Sequence, residues 1–286
     1  MDLQISIETQ GLKSHHLNNA SDFEKVLGQV IAGLPKLRSF TCTLWGRVPS
    51  VLCPLSMRET LSQLSISEAR EDTLVPGQRF WSTERALYRG CFLHIRELQI
   101  SGNLCLVDAV LPRLSVGAAA ALEEMPLLQS LSIRSQESGA APFTLTSAIR
   151  RLDQCRKLVH LDLDIGFDGG VSDAQIEMIA LTWPKLVHLS IKHPEMRKYR
   201  LRNVHQDTTL TLHSFLHLAS HCHALNYVNL PIRQVERMKP VDTTNLAPVR
   251  ITMYLPSSVS YAHRRVALGY ARAMWPKATL VHHLFY

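Results

Sequence analysis

Apolar residues recur along the chain in the pattern L-x-x-L-x-L, whose later positions alternate with polar residues. The clearest copies, residues 157–163 and 185–191, have almost the same sequence. Alternation of this kind is typical of a half-buried strand, and its recurrence is typical of a repeat protein. The other copies, the last of them degenerate, have their apolar positions at Leu37/Phe40/Cys42, Leu61/Leu64/Ile66, Ile95/Leu98/Ile100, Leu128/Leu131/Ile133, Leu225/Val228/Leu230, Leu246/Val249/Ile251 and Ala278/Val281/His283. Leu3, Ile5 and Ile7 alternate in the same way and predict a further strand.

The segment between the two clearest copies predicts a helix. Ile176, Ile179, Ala180 and Trp183 fall at i, i+3, i+4 and i+7, which gives one apolar helical face. Similar faces are predicted at Phe23/Val26/Leu27/Val30/Leu34, Leu145/Ala148/Ile149/Leu152 and Leu212/Phe215/Leu216/Ala219. Strands that alternate with helices favour an α/β fold. We predict a leucine-rich-repeat solenoid with parallel strands on the concave face and helices on the convex face.

The repeats predict one leucine-rich-repeat domain over residues 1–286, with the strongest copies between residues 125 and 232. Residues 68–83 and 194–209 fall outside the pattern and are predicted insertions. Insertions in such proteins map to loops on one face, where partners often bind.

Composition narrows the class of protein. The formal net charge is +7 and charged residues make up 19% of the chain, a mild excess that falls short of the charge typical of nucleic-acid-binding proteins, so nucleic acid is not an expected partner. The amino terminus lacks the pattern of a signal peptide, and no stretch is apolar enough to predict a membrane span. The six cysteines show no C-x-x-C spacing, which favours reduced, buried thiols. We therefore expect an intracellular protein, cytoplasmic or nuclear, without a cofactor.

Three segments carry a resemblance to a known family: residues 171–180, residues 183–190 and residues 211–222. They resemble the carboxy-terminal leucine-rich-repeat region of the F-box-like protein family of mushroom-forming (basidiomycete) fungi. The resemblance covers roughly residues 20–275 and is most specific between residues 145 and 232. It implies repeats that hold a substrate and an F-box that joins a cullin-RING ubiquitin ligase.

An F-box opens with a Leu-Pro pair and continues through two helical segments. Nothing before Ser21 supplies this pattern, and Leu34-Pro35 is followed by a strand signal. We therefore expect a chain without an F-box, which is either a truncated form or a repeat-only relative. A cullin-RING ubiquitin ligase is an expected partner only if an F-box lies upstream.

The repeat register predicts a contact patch for a protein partner. Where alternate leucines face the core, the residues between them face the other way. In the strongest repeats these are His160, Asp162, Asp164, His188, Ser190, Lys192, Tyr227 and Asn229, and we expect them on an exposed concave face. His160, His188 and Tyr227 are the predicted anchors, because aromatic and planar groups concentrate interface energy. Ser130, Ser132 and Arg134 continue the surface in an earlier repeat, where hydroxyls dominate.

The sequence supports an enzyme less well than a protein contact patch. Asp162 and Asp164, with Asp168 nearby, could serve acid–base or metal chemistry, but a flat strand ladder offers no pocket for catalysis. Gly166, Gly169 and Gly170 lack the spacing of a phosphate-binding loop, and the residues that follow read as a helix capping box at Ser172 and Gln175. We predict no catalytic residue.

Two other features leave an alternative open. His213, His217 and His221 lie at i, i+4 and i+8, a helical spacing compatible with zinc, although the H-E-x-x-H pattern is absent. The basic run of residues 192–202, with Arg197, Lys198, Arg200 and Arg202 around Tyr199, could contact RNA, although a solvated loop is the favoured interpretation. The predicted function is a non-enzymatic protein–protein interaction scaffold that resembles the substrate-recognition repeats of an F-box receptor. The alternative is a metal- or RNA-binding repeat module.

Overall fold

A computed structural model describes most of the repeat strands and the helices between the later ones. The described residues are 3–7, 26, 28–31, 33–44, 55, 58–68, 94–102, 127–135, 140–141, 144–167, 170–192, 209–232, 235, 249–256 and 261–285. Most of the two predicted insertions and the basic residues beyond Lys192 lie outside this part of the chain. The chain forms two compact units: Met1–Glu137 with Arg151–Arg156, and Ser138–Arg150 with Lys157–Tyr286. They are called unit 1 and unit 2 below.

The described part of unit 1 contains five parallel strands whose order in the sheet follows their order in the chain. They are β1 (Leu3–Ile7), β2 (Leu37–Leu44), β3 (Gln63–Glu68), β4 (Glu97–Gly102) and β5 (Ser130–Ser135). Equivalent leucine-pattern positions pair directly, for example Leu64 with Leu98 and Leu98 with Leu131. The repeat pattern therefore sets the register.

Unit 2 alternates strands with helices. Its elements are β6 (Ala140–Ala141), α1 (Leu145–Leu152), β7 (His160–Asp164), β8 (Gly166–Phe167), α2 (Asp173–Thr182), β9 (His188–Lys192), α3 (His213–His221), β10 (Tyr227–Pro231), β11 (Arg250–Pro256), α4 (Tyr261–Met274) and β12 (Thr279–Phe285). The last residues of α1 fall within the range assigned to unit 1. Strands β7, β9, β10, β11 and β12 are parallel in that order, and β6 pairs with β8. The predicted α/β fold with parallel strands is confirmed.

Each copy of the leucine pattern coincides with one of these strands. The described core positions are buried, from Phe40 and Leu64 in unit 1 to Leu189 and Val228 in unit 2, except Ala278 in the degenerate last copy, which is partly exposed. The apolar stripes of α1, α2 and α3 are buried as well, including Ile176 and Ile179, except for the partly exposed Leu216. Amphipathic helices and half-buried strands thus contribute to a core in each unit, as the periodicities predict.

A repeated turn joins helix to strand in unit 2. The N–H of Trp183 closes α2 on Ile179 O at 2.9 Å, and the N–H of Leu186 then returns to Trp183 O at 3.0 Å. Cys222 and Leu225 make the same pair of bonds after α3, as do Trp275 and Ala278 after α4. The Leu186 and Leu225 positions open copies of the pattern, so the chain enters each strand in the same way.

The first predicted helix is wrong in its buried face. Residues 26 and 28–31 are helical, but Val26 is 55% exposed and Val30 48% exposed, whereas Ile31 is fully buried. The helix is therefore rotated so that Ile31, which is not part of the predicted stripe, supplies the core contact.

Three cysteines fall within the described part of the chain, and all three are buried, as expected. Burial raises the pKa of Cys42, Cys155 and Cys222 to about 12. None of the helices in that part of the chain combines the length and apolar character needed to cross a membrane.

Candidate functional site

Three rings form a stack across neighbouring strands of unit 2. His160, His188 and Tyr227 occupy equivalent positions on β7, β9 and β10, where they pair directly in the register. The ring centroids of His160 and His188 are 3.8 Å apart, and those of His188 and Tyr227 are 4.3 Å apart. The planes differ by 10° and 11°. All three side chains are half-buried. We call this set the ring ladder.

A second row of polar residues lies two positions further along the same strands. Asp162, Ser190, Asn229 and Thr252 pair in direct register across β7, β9, β10 and β11. Their exposed fractions are 8%, 1%, 1% and 4%. We call this set the covered row.

The expectation that the whole patch is exposed is therefore wrong. Asp162, Ser190 and Asn229 are buried, and so is Asp164 on β7, which is 1% exposed. Only His160, His188, Lys192 and Tyr227, among the eight predicted residues, remain partly open to solvent. The alternation of apolar and polar residues places a side chain on one face of the sheet, but it does not decide whether solvent reaches that face.

Polar contacts run along the covered row. Asn229 Nδ2 donates a hydrogen bond to Ser190 Oγ at 3.2 Å. Lys192 Nζ lies 3.5 Å from Asp162 Oδ1 in an ion pair, so the acidic side chain has a cation on the neighbouring strand. Asn229 Oδ1 is buried and has no hydrogen-bond donor among the described residues. These contacts hold neighbouring strands in one register.

Electrostatics keep the central ring of the ladder uncharged. Burial, together with the nearby His160 and Lys192, lowers the pKa of His188 to about 4, and Asp162 opposes the shift. A neutral imidazole can both donate and accept a hydrogen bond at its ring nitrogens. Near neutral pH the centre of the ladder therefore presents a planar group without a formal charge.

Asp173 links the helices of unit 2, a role that the sequence interpretation missed. It lies in the first turn of α2, and its carboxylate accepts hydrogen bonds from the Thr211 backbone N–H at 2.9 Å and from Thr211 Oγ1 at 2.6 Å. Ser214 Oγ donates to the same carboxylate. The sequence indicated this link only through two hydroxyl residues near the start of α3, Thr211 and Ser214, which lie one repeat after Asp173.

The predicted cap of α2 is confirmed. The Ser172 backbone N–H donates to Gln175 Oε1 at 2.9 Å, which is the reciprocal bond of a capping box. Gln175 Nε2 also donates to Thr146 Oγ1 at 3.1 Å on α1. The ends of the helices thus position the strands that carry the ring ladder.

Unit 1 carries a different polar surface on equivalent strand positions. Two rows cross β2 to β5 in register, and none of their members is buried. The rows consist of Ser39, Gln63, Glu97 and Ser130, and of Thr41, Ser65, Gln99 and Ser132. They line a groove with a volume of about 220 Å³ whose floor includes Phe40, Leu64 and Leu98. We call this the polar groove.

The histidine row does not assemble a metal site in the described structure. Among those residues, no group of three or more His, Cys, Asp or Glu side chains is placed to hold a metal ion. His213 is exposed, and His217 Nδ1 lies 3.6 Å from Glu177 Oε1 on α2. The stacked His160 and His188 do not suit one ion either, because each imidazole binds a metal in its own ring plane and these planes are nearly parallel.

Comparisons with known proteins add little. The sequence matches no model of a known protein family and no curated protein. Among solved structures, it is similar to a Bacteroides fragilis protein determined by the Northeast Structural Genomics Consortium, with a TM-score of 0.40 and 14% sequence identity. The match covers 98% of this chain and 73% of that chain. A likeness this distant carries no argument about function.

Proposed function

We propose that the chain is a non-enzymatic protein-binding scaffold of the leucine-rich-repeat type, and that the ring ladder contacts its partner. The proposal includes a single repeat domain that places its strands on a concave face. It is supported by parallel strands that recur once per leucine pattern and by helices that intervene between the later strands.

The observation that carries the proposal is the half-buried stack of His160, His188 and Tyr227. Large planar side chains at fixed positions concentrate binding energy at interfaces. Because the rings already pack against each other, a partner that contacts their edges would lose little additional side-chain entropy. The bonds of the covered row support this preorganisation by tying together the strands beneath.

The position of the carboxylates favours binding over catalysis. Asp162 is paired with Lys192, and Asp164 is buried. A general acid or base must come within hydrogen-bonding reach of its substrate. The half-buried surface beside them offers planar and basic groups, which suit recognition of another protein.

A more specific form of the proposal is substrate recognition within a ubiquitin-ligase receptor. It is supported by the resemblance of residues 145–232 to the repeats of F-box-like proteins. A cullin-RING ligase would be a partner only of a form that also carries an F-box. Sequencing of full-length transcripts upstream of Met1 tests this form separately.

Proximity labelling with the tagged full chain tests the binding role of the ladder. We expect the enrichment of specific partner proteins to fall at least about tenfold in the variant H160A/H188A/Y227A, because the loss of several interface anchors costs more than 1.4 kcal/mol. The matched control is K185A/H223A/R272A, which removes three exposed side chains elsewhere in unit 2. An enrichment that is equal in both variants, with both chains folded, would contradict the proposal.

A further inference from the structure

We propose that the polar groove of unit 1 binds an extended, nearly uncharged peptide segment that places one basic side chain opposite Glu97. The inference rests on the proposed function and deepens it, because it names the chemistry of a partner segment for a surface outside the ring ladder. It is argued from unit 1 alone.

The side chains that line the groove differ from other hydroxyls nearby in their hydrogen bonding. Thr60 Oγ1 donates to Leu37 O at 2.9 Å, Ser62 Oγ to Arg38 O at 3.2 Å, and Ser67 Oγ to Cys42 O at 3.4 Å. In contrast, none of the polar side chains of the groove makes a hydrogen bond to another described residue. The groove therefore presents donors and acceptors that remain available to a ligand.

Two glutamines give the groove the chemistry of peptide recognition. A primary amide carries both donors and acceptors, so it can pair with the C=O and N–H of a peptide backbone. Gln63 and Gln99 lie on adjacent strands, offset by two residues, because Gln63 pairs with Glu97. A two-residue offset of about 6.6 Å across a strand spacing of about 4.8 Å places their Cα atoms about 8 Å apart. Residues i and i+2 of an extended peptide are separated by about 6.7 Å, which is a close match.

The size and floor of the groove argue against other ligands. Its volume of about 220 Å³ is smaller than the roughly 300–1,000 Å³ of pockets that enclose small molecules. The aromatic ring in its floor, Phe40, is fully buried, so it offers no face on which a sugar or a nucleobase could stack. A segment that lies over the surface and bonds through its backbone fits better.

Charge selects the side chain of the segment. Glu97 is exposed and is the ionisable residue that lines the groove. Its neighbours in the same row are Gln63 and Ser130, which carry no charge. A Lys or Arg opposite Glu97 would gain a partly exposed ion pair, whereas an acidic side chain there would be repelled.

A library of random peptides tests the inference even though the partner protein is unidentified. The peptides are displayed on phage and selected on the purified full chain, and selected peptides are synthesised and titrated by fluorescence anisotropy. We expect a basic residue to be enriched at one fixed position. The double variant Q63A/Q99A should lose at least about tenfold in affinity, because the loss of each amide's hydrogen bonds lowers the peptide affinity severalfold. The variant E97Q should lose about two- to fivefold.

Charge reversal gives a readout that misfolding cannot imitate. The variant E97K should reject the basic peptides and select acidic ones from the same library. The matched control Q29A/Q129A removes two exposed glutamines of unit 1 outside the groove and should bind as the unmodified chain does. Circular dichroism establishes that each variant is folded.

Several results would overturn the inference. They are the absence of selected peptides, peptides whose affinity is unchanged in Q63A/Q99A, or binding of uncharged glycans in place of peptides. Peptides that lose affinity only in H160A/H188A/Y227A would overturn the groove and leave the proposed function standing. If peptide binding depends on the groove but H160A/H188A/Y227A keeps its protein partners, the results would contradict only the proposed role of the ring ladder.

Discussion

The two units place polar residues at equivalent strand positions, yet the two surfaces differ in solvent access. In unit 1, Ser65 and Gln99 remain partly or fully exposed. In unit 2, the paired residues Ser190 and Asn229 are each 1% exposed and bonded to one another. The same repeat register therefore produces an open surface in one unit and a covered row beside stacked rings in the other. Register and solvent access are separate properties of a repeat strand.

The largest expected difference between the units comes from inserting a charged side chain. The variant S190K should destabilise the protein by about 3 kcal/mol, because an ammonium group would be buried in a closely packed row. The variant S132K should change stability by no more than about 0.5 kcal/mol, because Ser132 lies in the open groove. Urea denaturation of both variants measures the difference. Equal losses would show that the covered row accommodates new side chains as easily as the groove does.

Removal of a cation should also have different effects in the two units, with a smaller difference in the free energy of unfolding. The variant K192M should cost about 1–2 kcal/mol, because it removes the cation that pairs with the largely buried Asp162. The variant K36M changes an exposed lysine of unit 1 and should cost no more than about 0.5 kcal/mol. Chemical denaturation at two salt concentrations checks both values. If K192M leaves the free energy of unfolding unchanged, the ion pair contributes nothing to the stability of the row.

The ring ladder should make stability depend on pH in one window. His188 has a pKa near 6.5 when unfolded and about 4 when folded, so between these values the unfolded state binds the proton more readily. Stability should therefore fall as pH decreases from 6.5 to 4. For a group that is half-exposed, screening reduces the effect to about 1 kcal/mol.

The variant H188F keeps a planar ring and removes the titrating group. Its free energy of unfolding should lose this part of the pH dependence, whereas H223F, which changes an exposed histidine, should behave as the unmodified chain does. Denaturation curves at pH 4.5 and pH 7.5 give the comparison. An unchanged pH dependence in H188F would exclude His188 as its source.

The smallest expected difference concerns the cores, where the units should behave alike. Cys42 in unit 1 and Cys222 in unit 2 are buried, and burial raises the pKa of both thiols to about 12. Since the thiolate is the reactive form, both should resist alkylation at pH 8 while the protein is folded. Mass spectrometry of iodoacetamide-treated protein, with and without urea, follows each site. Rapid labelling of only one of them would show that the core of its unit opens more readily.

Much of the architecture could be predicted because the leucine pattern fixes which residues are equivalent. Parallel strands with equal entry turns align Leu161 with Leu189 and Leu189 with Val228, and the intervening positions follow automatically. His160, His188 and Tyr227 could therefore be placed side by side from spacing alone. Their stacking distances and the shifted pKa of His188 depend on rotamers and burial, which spacing does not contain.

The errors have physical causes that a single sequence does not reveal. Asp162, Ser190 and Asn229 belong to the predicted face, but their burial depends on what packs over that face and on contacts between neighbours. Near the start of the chain, Val26 and Val30 satisfy helical periodicity, yet Ile31 makes the core contact. Periodicity predicts that a helix is amphipathic, and the rotation of a short helix is then decided by packing.

The hydrogen bonds of Asp173 have a consequence for protein engineering. The chain leaves β9 at Lys192, and at Thr209 its N–H donates to Val171 O at 2.9 Å, just before Thr211 bonds to Asp173. Both ends of residues 193–208 are thus held by unit 2 itself. An insert placed between Lys192 and Thr209, such as an epitope or a small reporter domain, would therefore have two fixed points of attachment, and the entropy of closing a longer connection grows only slowly with its length.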